Sequence, residues 1–132
     1  METVQEEHSQ ALEAACCLLF GLTNFVSDFI YIKDTDGKYL VTNEAHKNFL
    51  HKEPTGLTVA DLFPKELAEQ YAADDKLAIR TDTPIIRKEI HHNNLVEPRE
   101  VVTVKVPIHD VNKKITGLFC LSYPNERTDR KT

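Results

Sequence analysis

Cysteine is scarce in this 132-residue chain, which holds only Cys16, Cys17 and Cys120. An odd number of cysteines, two of them adjacent, is not a disulfide framework. No two have the Cys-x-x-Cys spacing that zinc sites or covalently attached haem use. Reducing compartments keep thiols free. We therefore expect a cytoplasmic protein in which Cys16 and Cys17 are small apolar fillers of a helix.

Positive charge and long apolar runs are also lacking. The chain has 16 Lys and Arg against 21 Asp and Glu, a formal net charge of -5. Surfaces that bind nucleic acid are normally basic, so we expect no direct nucleic acid binding. No apolar run is long enough to span a bilayer, and the acidic first residues do not read as a signal peptide, so we expect no membrane contact. An apolar fraction of 41% in 132 residues suits one globular domain.

A β-hairpin is predicted near the start of the chain. Two short runs, Phe29–Ile32 and Tyr39–Thr42, are rich in the β-branched and aromatic residues typical of strands. Between them, Asp34–Gly37 supplies Asp side chains that close turns and a Gly that tolerates positive φ. Asn43 follows as a cap for a short helix. The stretch therefore predicts strand, turn, strand and capped helix.

Residues Thr3 to Asn24 predict a helix with a polar start and an apolar second half. Leu12, Cys16 and Leu19 share one face of it. An apolar stripe of this kind has to be covered, either by the domain's own sheet or by the same helix of a second subunit. We predict a homodimer with Leu12, Cys16 and Leu19 in its interface.

The rest of the chain alternates between helical and strand patterns. A helical turn and a longer helix lie between the hairpin and three further strands. Two strands, helices and then three strands predict an α+β domain, with one five-stranded antiparallel sheet crossed by helices on one face. We divide the chain into an N-terminal helix (1–24), the domain (25–124) and a tail or linker (125–132). The predicted later elements are Thr58–Phe63, Lys65 to about Arg80, Ile85–His91, Arg99–Ile108 and Ile115–Tyr123.

These motifs together resemble PAS sensor domains of bacterial-type signalling proteins, over about Leu22 to Tyr123. The resemblance implies a non-enzymatic sensory and dimerisation domain. Such a domain is the input module of a histidine kinase, a cyclic-dinucleotide enzyme or a helix-turn-helix transcription regulator, and it can hold a small ligand between sheet and helices. The motifs, in order, are Asp34-x-x-Gly37-Lys38-Tyr39, Gly56-x-Thr58-x-x-Asp61-Leu62-Phe63, Val106-Pro107-Ile108-x-Asp110 and Ile115-x-Gly117-Leu118.

Two cofactors that PAS domains carry are not expected here. In haem-binding PAS domains the iron ligand commonly comes from the long helix, but Lys65–Asp82 holds no His, Met or Cys. Thiol-adduct flavin photochemistry needs a cysteine near the flavin, and no cysteine lies between Cys17 and Cys120. Neighbouring His91 and His92 point to opposite faces of a strand and cannot readily share a metal. The identity of any cofactor stays open.

Six residues are predicted to surround a ligand pocket between the sheet and the helices. This assumes that the apolar Val102, Val104 and Val106 face points inward. Asp75 has an alternative, because it could instead pair with a neighbouring cation such as Arg80. Two other functions stay open: an interaction module that binds no small molecule, and a small α+β enzyme whose catalytic residues cannot be named. The predicted pocket residues are Asn43, His46, Tyr71, Asp75, Val104 and Phe119.

Overall fold

The computed structural model describes residues 14, 17–18, 20–91 and 98–125. After helical residues that end at Thr23, the chain forms two strands, three helices and three longer strands. The predicted strands and the long helix are present, with ends that differ by only one or two residues from those expected. The elements are β1 Phe29–Asp34, β2 Tyr39–Thr42, α1 Glu44–Leu50, α2 Val59–Leu62, α3 Lys65–Thr81, β3 Ile85–His91, β4 Arg99–His109 and β5 Ile115–Pro124.

The strands form one antiparallel sheet in the order β2-β1-β5-β4-β3. Its centre is the pairing of β1 with β5, which runs from Phe29 opposite Ser122 to Asp34 opposite Gly117. This pairing joins the N-terminal hairpin to the three C-terminal strands. Helix α3 packs across β3, β4 and β5. The predicted α+β fold, a five-stranded antiparallel sheet with helices on one face, is confirmed.

The turn between β1 and β2 is built by one carboxylate. Oδ1 of Asp34 accepts hydrogen bonds from the backbone N–H groups of Asp36 and Lys38, each at 2.9 Å. Gly37 has φ of 85°, which only glycine adopts without strain. Asp110 plays the same part in the turn between β4 and β5. These contacts explain why an Asp-rich sequence with few glycines still makes tight hairpins.

Asn43 caps α1 and also ties the helix to the sheet. Its Oδ1 accepts from the backbone N–H of His46 at 3.3 Å and of Ile30 at 3.1 Å. Its Nδ2 donates to the carbonyl oxygens of Thr23 (3.1 Å) and Asp28 (2.9 Å). The side chain is fully buried, and each of its polar atoms has a partner. The predicted cap is therefore present and is one part of a larger structural role.

The second side of β2 is paired with a loop. The backbone N–H of Tyr39 donates to the carbonyl oxygen of Leu57 at 2.9 Å, and the N–H of Gly56 donates to the carbonyl oxygen of Tyr39 at 2.8 Å. Gly56 has φ of 82°. The chain that leads from α1 to α2 thus lies beside β2 in the way that a sixth strand would.

The face of the sheet that points toward the helices is the reverse of the one predicted. Lys105 of β4 contacts Asp75 of α3, so its side of the strand is the inner face. Val104 pairs with Leu121 on the other side, and Leu121 packs with Phe20 and Ile30 on the outer face. The expectation that Val102, Val104 and Val106 point inward is wrong. The inner face of β4 carries Val101, Thr103, Lys105 and Pro107.

The error has a physical cause. Alternation shows that a strand has two different faces, but it does not show which face meets the helices. The outer face here is apolar and half-buried, while the inner face carries polar groups that pair with one another. A rule that places the more apolar face inward therefore fails on this sheet.

Only the end of the predicted N-terminal helix lies in the described chain. Residues 20–23 are helical, and Phe20 is buried against Ile30 and Ile32 on the outer face of the sheet. Leu12, Cys16 and Leu19, the predicted interface residues, lie outside the described residues. Of the helices that are described, none is long and apolar enough to cross a membrane.

Gly117 of β5 packs directly against the backbone of β1, and replacing it should be costly. A Cβ at this position would lie 2.3 Å from the carbonyl oxygen of Lys33, a backbone atom that cannot move alone. We expect Gly117→Ala to lower the free energy of unfolding by about 1 to 3 kcal/mol in urea denaturation. Gly21→Ala is the control, because nothing lies within 4 Å of its added Cβ. Equal stability of the two variants would contradict the close approach.

Candidate functional site

Two buried lysines share one buried carboxylate beneath α3. Nζ of Lys33, on β1, lies 2.8 Å from Oδ2 of Asp75, and Nζ of Lys105, on β4, lies 2.7 Å from Oδ1. The lysine side chains are 1% exposed and the carboxylate 7%. Charges are almost never buried to this extent unless they are paired. Asp75 therefore joins the helix to two strands that are not neighbours in the sheet.

A series of polar contacts extends from Lys105 to β3. Nζ of Lys105 lies 3.9 Å from Oε2 of Glu89, whose Oε1 lies 2.9 Å from Nε2 of His91. Burial alone would raise the pKa of Glu89, but the hydrogen bond from His91 and the positive charge of Lys105 outweigh it and lower that pKa. Glu89 is thus a buried carboxylate held in its charged form. We call Lys33, Asp75, Glu89, His91 and Lys105 the inner-face network.

Aromatic rings surround the network on both sides. His46 stacks on Tyr31, with ring centroids 4.6 Å apart, and on Phe29 at 5.1 Å. Tyr71 meets His91 edge to face at 5.3 Å, and its hydroxyl donates to the carbonyl oxygen of Ile90. Histidine rings lying flat against aromatic rings form an apolar wall with polar edges, a surface that suits small-molecule recognition.

Cys120 lies in the centre of the same face but is not a reactive thiol. It is fully buried, and burial raises the pKa of its thiol to about 12. The nucleophilic form of cysteine is the thiolate, which this environment suppresses. The nearby hydroxyls of Thr103 and Ser122 hydrogen-bond each other at 2.8 Å. These groups can orient a bound molecule.

Among the residues that the structure describes, three buried polar atoms of this face make no hydrogen bond: Nε2 of His46, Nδ1 of His91, and Oε2 of Glu89, which only lies 3.9 Å from Nζ of Lys105. The other ring nitrogen of His46 lies 2.9 Å from the hydroxyl of Thr42. Burial, and after it the neighbouring His91 and Lys33, lower the pKa of His46 well below its ordinary value. A buried group left unpaired costs about 1 to 3 kcal/mol, so native proteins usually supply a water or a ligand for it.

Acid should destabilise the fold in two separate pH windows. The lowered pKa of His46 means that the unfolded chain takes up its proton first, so stability should fall as the pH drops below the ordinary value of 6.5. Glu89, with its pKa lowered from 4.5, adds a further loss only below that value. Each group contributes at most about 1.4 kcal/mol per pH unit.

Urea denaturation between pH 7.5 and 3.5 checks this prediction. His46→Gln should flatten the upper window and leave the lower one in place. His51→Gln is the matched control, since His51 is exposed at the end of α1. A slope that survives His46→Gln unchanged would contradict the assignment.

Four of the six predicted pocket residues lie on the inner side of the domain: Asn43, His46, Tyr71 and Asp75. Val104 and Phe119 lie on the outer face of the sheet and are separated from the other four by the sheet itself. The strand prediction missed four members of the network. Lys33 and Lys105 each follow a run of β-branched and aromatic residues. A charged residue that interrupts such a run is a sequence signal for a buried polar site. Glu89 and His91 lie on a strand of mixed charge, where no comparable signal is present.

A groove opens on the other side of Asp75, with a cavity volume of about 570 Å³. It lies between α3, the beginning of α2 and the turn between β1 and β2. Ala68, Ala72 and Ile79 line one wall, and Val59 lines the opposite one. Asp75 lines this groove and also binds the two buried lysines, so it is common to the groove and the inner-face network. The other lining residues are Thr35, Asp36, Gly37, Thr58, Ala60, Lys65, Glu69 and Lys76.

No group of three or more His, Cys, Asp or Glu that could hold a metal ion occurs among the residues that the structure describes. His46 and His91 both neighbour Phe29 but are not arranged with a third ligand. His92, the other half of the adjacent pair, lies outside the described ranges.

Comparison with known proteins gives one family and one fold. A family model described as the PAS fold matches residues 24–131. The comparison with curated protein sequences finds no match. The PAS domain of Bordetella pertussis BvgS is similar in structure, with a TM-score of 0.72 at 17% identity, and the match covers 88% of this chain and 90% of that one.

Receptors of the VqmA type are similar as well. The Vibrio cholerae VqmA dimer, described as a LuxR-type receptor, has a TM-score of 0.74 at 18% identity over 83% of this chain and 52% of that one. A phage VqmA–DPO complex has a TM-score of 0.74 at 20% identity over 89% and 56%. The chain thus spans about half the length of these receptors. At such identities the likeness concerns the fold.

Proposed function

Since this chain belongs to the PAS-fold family, we propose that it is a sensory input module that binds a small molecule at the inner-face network and passes the change to an effector. The family and its structural neighbours are sensory kinds of domain. The ligand, the effector and the absence of enzymatic activity are the proposed parts. One observation carries the proposal, the buried charge beneath α3.

Buried charge is a poor way to stabilise a core. Replacing a buried ion pair with apolar residues of similar size is often neutral or stabilising, because the charges lose their hydration. This chain nevertheless buries Lys33, Asp75 and Lys105 together, next to Glu89. Three buried polar atoms on the same face make no hydrogen bond to any described residue. A ligand that supplied their partners would account for both features, whereas a module that only bound proteins would need neither.

The charges of the network suit an uncharged, polar ligand. The two lysines are balanced by Asp75 and Glu89, so the site has no free charge to offer an ion. Oε2 of Glu89 makes no hydrogen bond within the described chain, so it can accept one from a donor on the ligand. The ring nitrogens of His46 and His91 can take either role, depending on the tautomer.

Native mass spectrometry of the purified chain tests ligand binding. We expect extra mass under native conditions that disappears on denaturation, or a rise in melting temperature when a metabolite extract is added. DPO, the molecule present in the VqmA complexes, is the first defined probe. If the wild-type chain shows neither effect, a ligand-free interaction module is favoured instead.

A matched pair of variants locates the site. Glu89→Gln keeps the size of the side chain but removes its charge and replaces one of its two acceptor oxygens with a donor, and it should abolish the retained mass or the thermal shift. Glu100→Gln is the same change on the exposed part of β4 and should leave both unchanged. If the two variants retained ligand equally, the ligand would lie elsewhere.

We also propose a homodimer that is built at the N-terminal end. Leu18, Leu22 and Phe25 are large apolar side chains that are 70%, 65% and 92% exposed in a single copy of the chain. They adjoin Phe20, which packs on the apolar outer face of the sheet. A second copy could cover them, and a change on the inner face would then reach the dimer through the strands. VqmA itself is described as a dimer.

Light scattering of the full chain and of a chain without Met1 to Ala14 tests the dimer. We expect a dimer that weakens on truncation and dissociates when Leu18, Leu22 and Phe25 are all changed to serine. Val111→Ser removes an equally exposed apolar residue from the turn between β4 and β5 and should leave the dimer intact. A monomer at high micromolar concentration would rule out this assembly.

The effector is proposed from the neighbours. The VqmA receptors are about twice as long as the matched part, and the BvgS match is a PAS domain alone. A sensor histidine kinase from Vibrio cholerae is a further structural neighbour, with a TM-score of 0.60. An attached or separate helix-turn-helix regulator or histidine kinase fits these neighbours, and a cyclic-dinucleotide enzyme fits the family.

A further inference from the structure

We propose that the groove between α3, α2 and the β1–β2 turn is a second binding site, for an uncharged molecule with an apolar body and one hydrogen-bond donor that reaches Asp75. This site shares Asp75 with the inner-face network, but none of the other four residues of that network lines it. It does not depend on the proposed function.

The size and lining of the groove suit a small molecule. Its volume of about 570 Å³ falls within the range of about 300 to 1,000 Å³ typical of ligand sites. Ala68 and Ala72, one helical turn apart on α3, leave the space open because their side chains are small. Ala68 and Val59 are themselves buried, so the groove is deep at its apolar end.

The polar end of the groove is formed by a buried carboxylate that two ion pairs hold in place. Asp75 is 5% exposed, and each of its two oxygens accepts one lysine ammonium, at 2.8 Å from Lys33 and 2.7 Å from Lys105. A carboxylate oxygen has two lone pairs, so each oxygen can accept one more donor. The lysines approach from the sheet, which leaves the side of Asp75 that lines the groove for a ligand.

Charge selects the class of ligand. A cation at the floor would meet the two ammonium groups of Lys33 and Lys105 behind Asp75. An anion would meet the carboxylate of Asp75 itself. The rim adds no preference, since two acidic and two basic residues balance each other there. An alcohol or amide donor on an apolar body is the chemistry that remains. The rim residues are Asp36, Lys65, Glu69 and Lys76.

Three probes with the same six-carbon chain test this inference: 1-hexanol, hexylammonium and hexanoate. Each is titrated into the isotope-labelled full chain, and the amide signals of Ala68, Ala72 and Asp75 are followed by NMR. We expect saturable shifts with hexanol and binding about tenfold weaker for both charged probes, a difference that the local charges can readily supply. Equal or stronger binding of either charged probe would overturn the assignment.

Matched variants show whether the groove itself is occupied. Ala72→Leu fills the groove and should abolish the hexanol shifts. Ala73→Leu adds the same side chain one residue further along α3, at an exposed position that does not line the groove, and should keep them. Ala60→Leu fills the groove from the exposed start of α2 and serves if Ala72→Leu does not fold.

The test is independent of the first ligand site. Glu89→Gln should leave hexanol binding unchanged, although it is expected to abolish ligand retention at the inner-face network. Persistent hexanol binding in both groove-filling variants would place the molecule elsewhere and overturn the inference. A peptide that competes with hexanol for wild-type chain and binds more tightly would also overturn it, in favour of a protein partner.

Discussion

Replacing Asp75 with alanine should lower the free energy of unfolding by about 3 to 5 kcal/mol. The change leaves the ammonium groups of Lys33 and Lys105 buried and without their shared partner. Asp74→Ala is the control on the same helix. Its carboxylate pairs with the half-exposed Arg87 at 3.5 Å, an ion pair worth at most about 1 kcal/mol. Urea denaturation of the two variants at pH 7 measures the difference.

A further variant separates stability from function. Changing Lys33 and Lys105 to methionine, Asp75 to leucine and Glu89 to glutamine together removes the two ammonium groups and the two carboxylates that balance them, and should recover most of the stability that Asp75→Ala loses. If this fourfold variant stays as unstable as Asp75→Ala, the ion pairs are themselves stabilising. Recovered stability combined with lost ligand binding would mean that the charges are kept for recognition.

Truncating Tyr71 to alanine should also cost about 3 to 5 kcal/mol, as aromatic truncations in cores do. The ring is 3% exposed and packs edge to face on Phe63 and His91. Tyr71→Phe keeps the ring and loses only the hydrogen bond to Ile90, so it should cost about 0.5 to 1.5 kcal/mol. Thermal melts and urea curves of both variants check these values.

Measurements with the ligand test whether Tyr71 also borders the binding site. If Tyr71 borders the ligand, Tyr71→Phe should reduce the ligand-dependent rise in melting temperature while it keeps most of the stability. Tyr123→Ala, at a partly exposed position on β5, is the control for the loss of an aromatic ring outside the core. If Tyr71→Phe keeps the full ligand-dependent rise in melting temperature, the role of Tyr71 is limited to packing in the core.

Local chemistry made most of the fold predictable. Asp34 and Gly37 identify the first turn, Asn43 caps the next helix, and both roles are visible in the hydrogen bonds. Strand and helix ends follow from periodicity and from breakers such as Pro64 and Pro84. These signals lie within a few residues of each other, so no tertiary information is needed to use them.

The site was only partly predictable, because its members come from distant strands. Asp75 was identified as a carboxylate near an apolar helix face, with a neighbouring cation such as Arg80 as its alternative partner. Its true partners, Lys33 and Lys105, lie 42 and 30 residues away and meet it only once the sheet has formed. The prediction for Val104 is wrong for a related reason: alternation separates the two faces of a strand but does not show which face the helices cover. The network therefore depends on topology, which no local pattern contains.

The loop beside β2 also limits how copies of this chain can associate. Unpaired strand edges act as templates on which other chains add strands, a route to aggregation. Here β2 is only four residues long, and the backbone of Tyr39 is already bonded to Gly56 and Leu57. At the opposite edge, β3 presents the exposed charges of Arg87 and Lys88. Strand addition is thus discouraged at the β2 margin, while the β3 margin combines these charges with the exposed apolar side chains of Ile86 and Ile90.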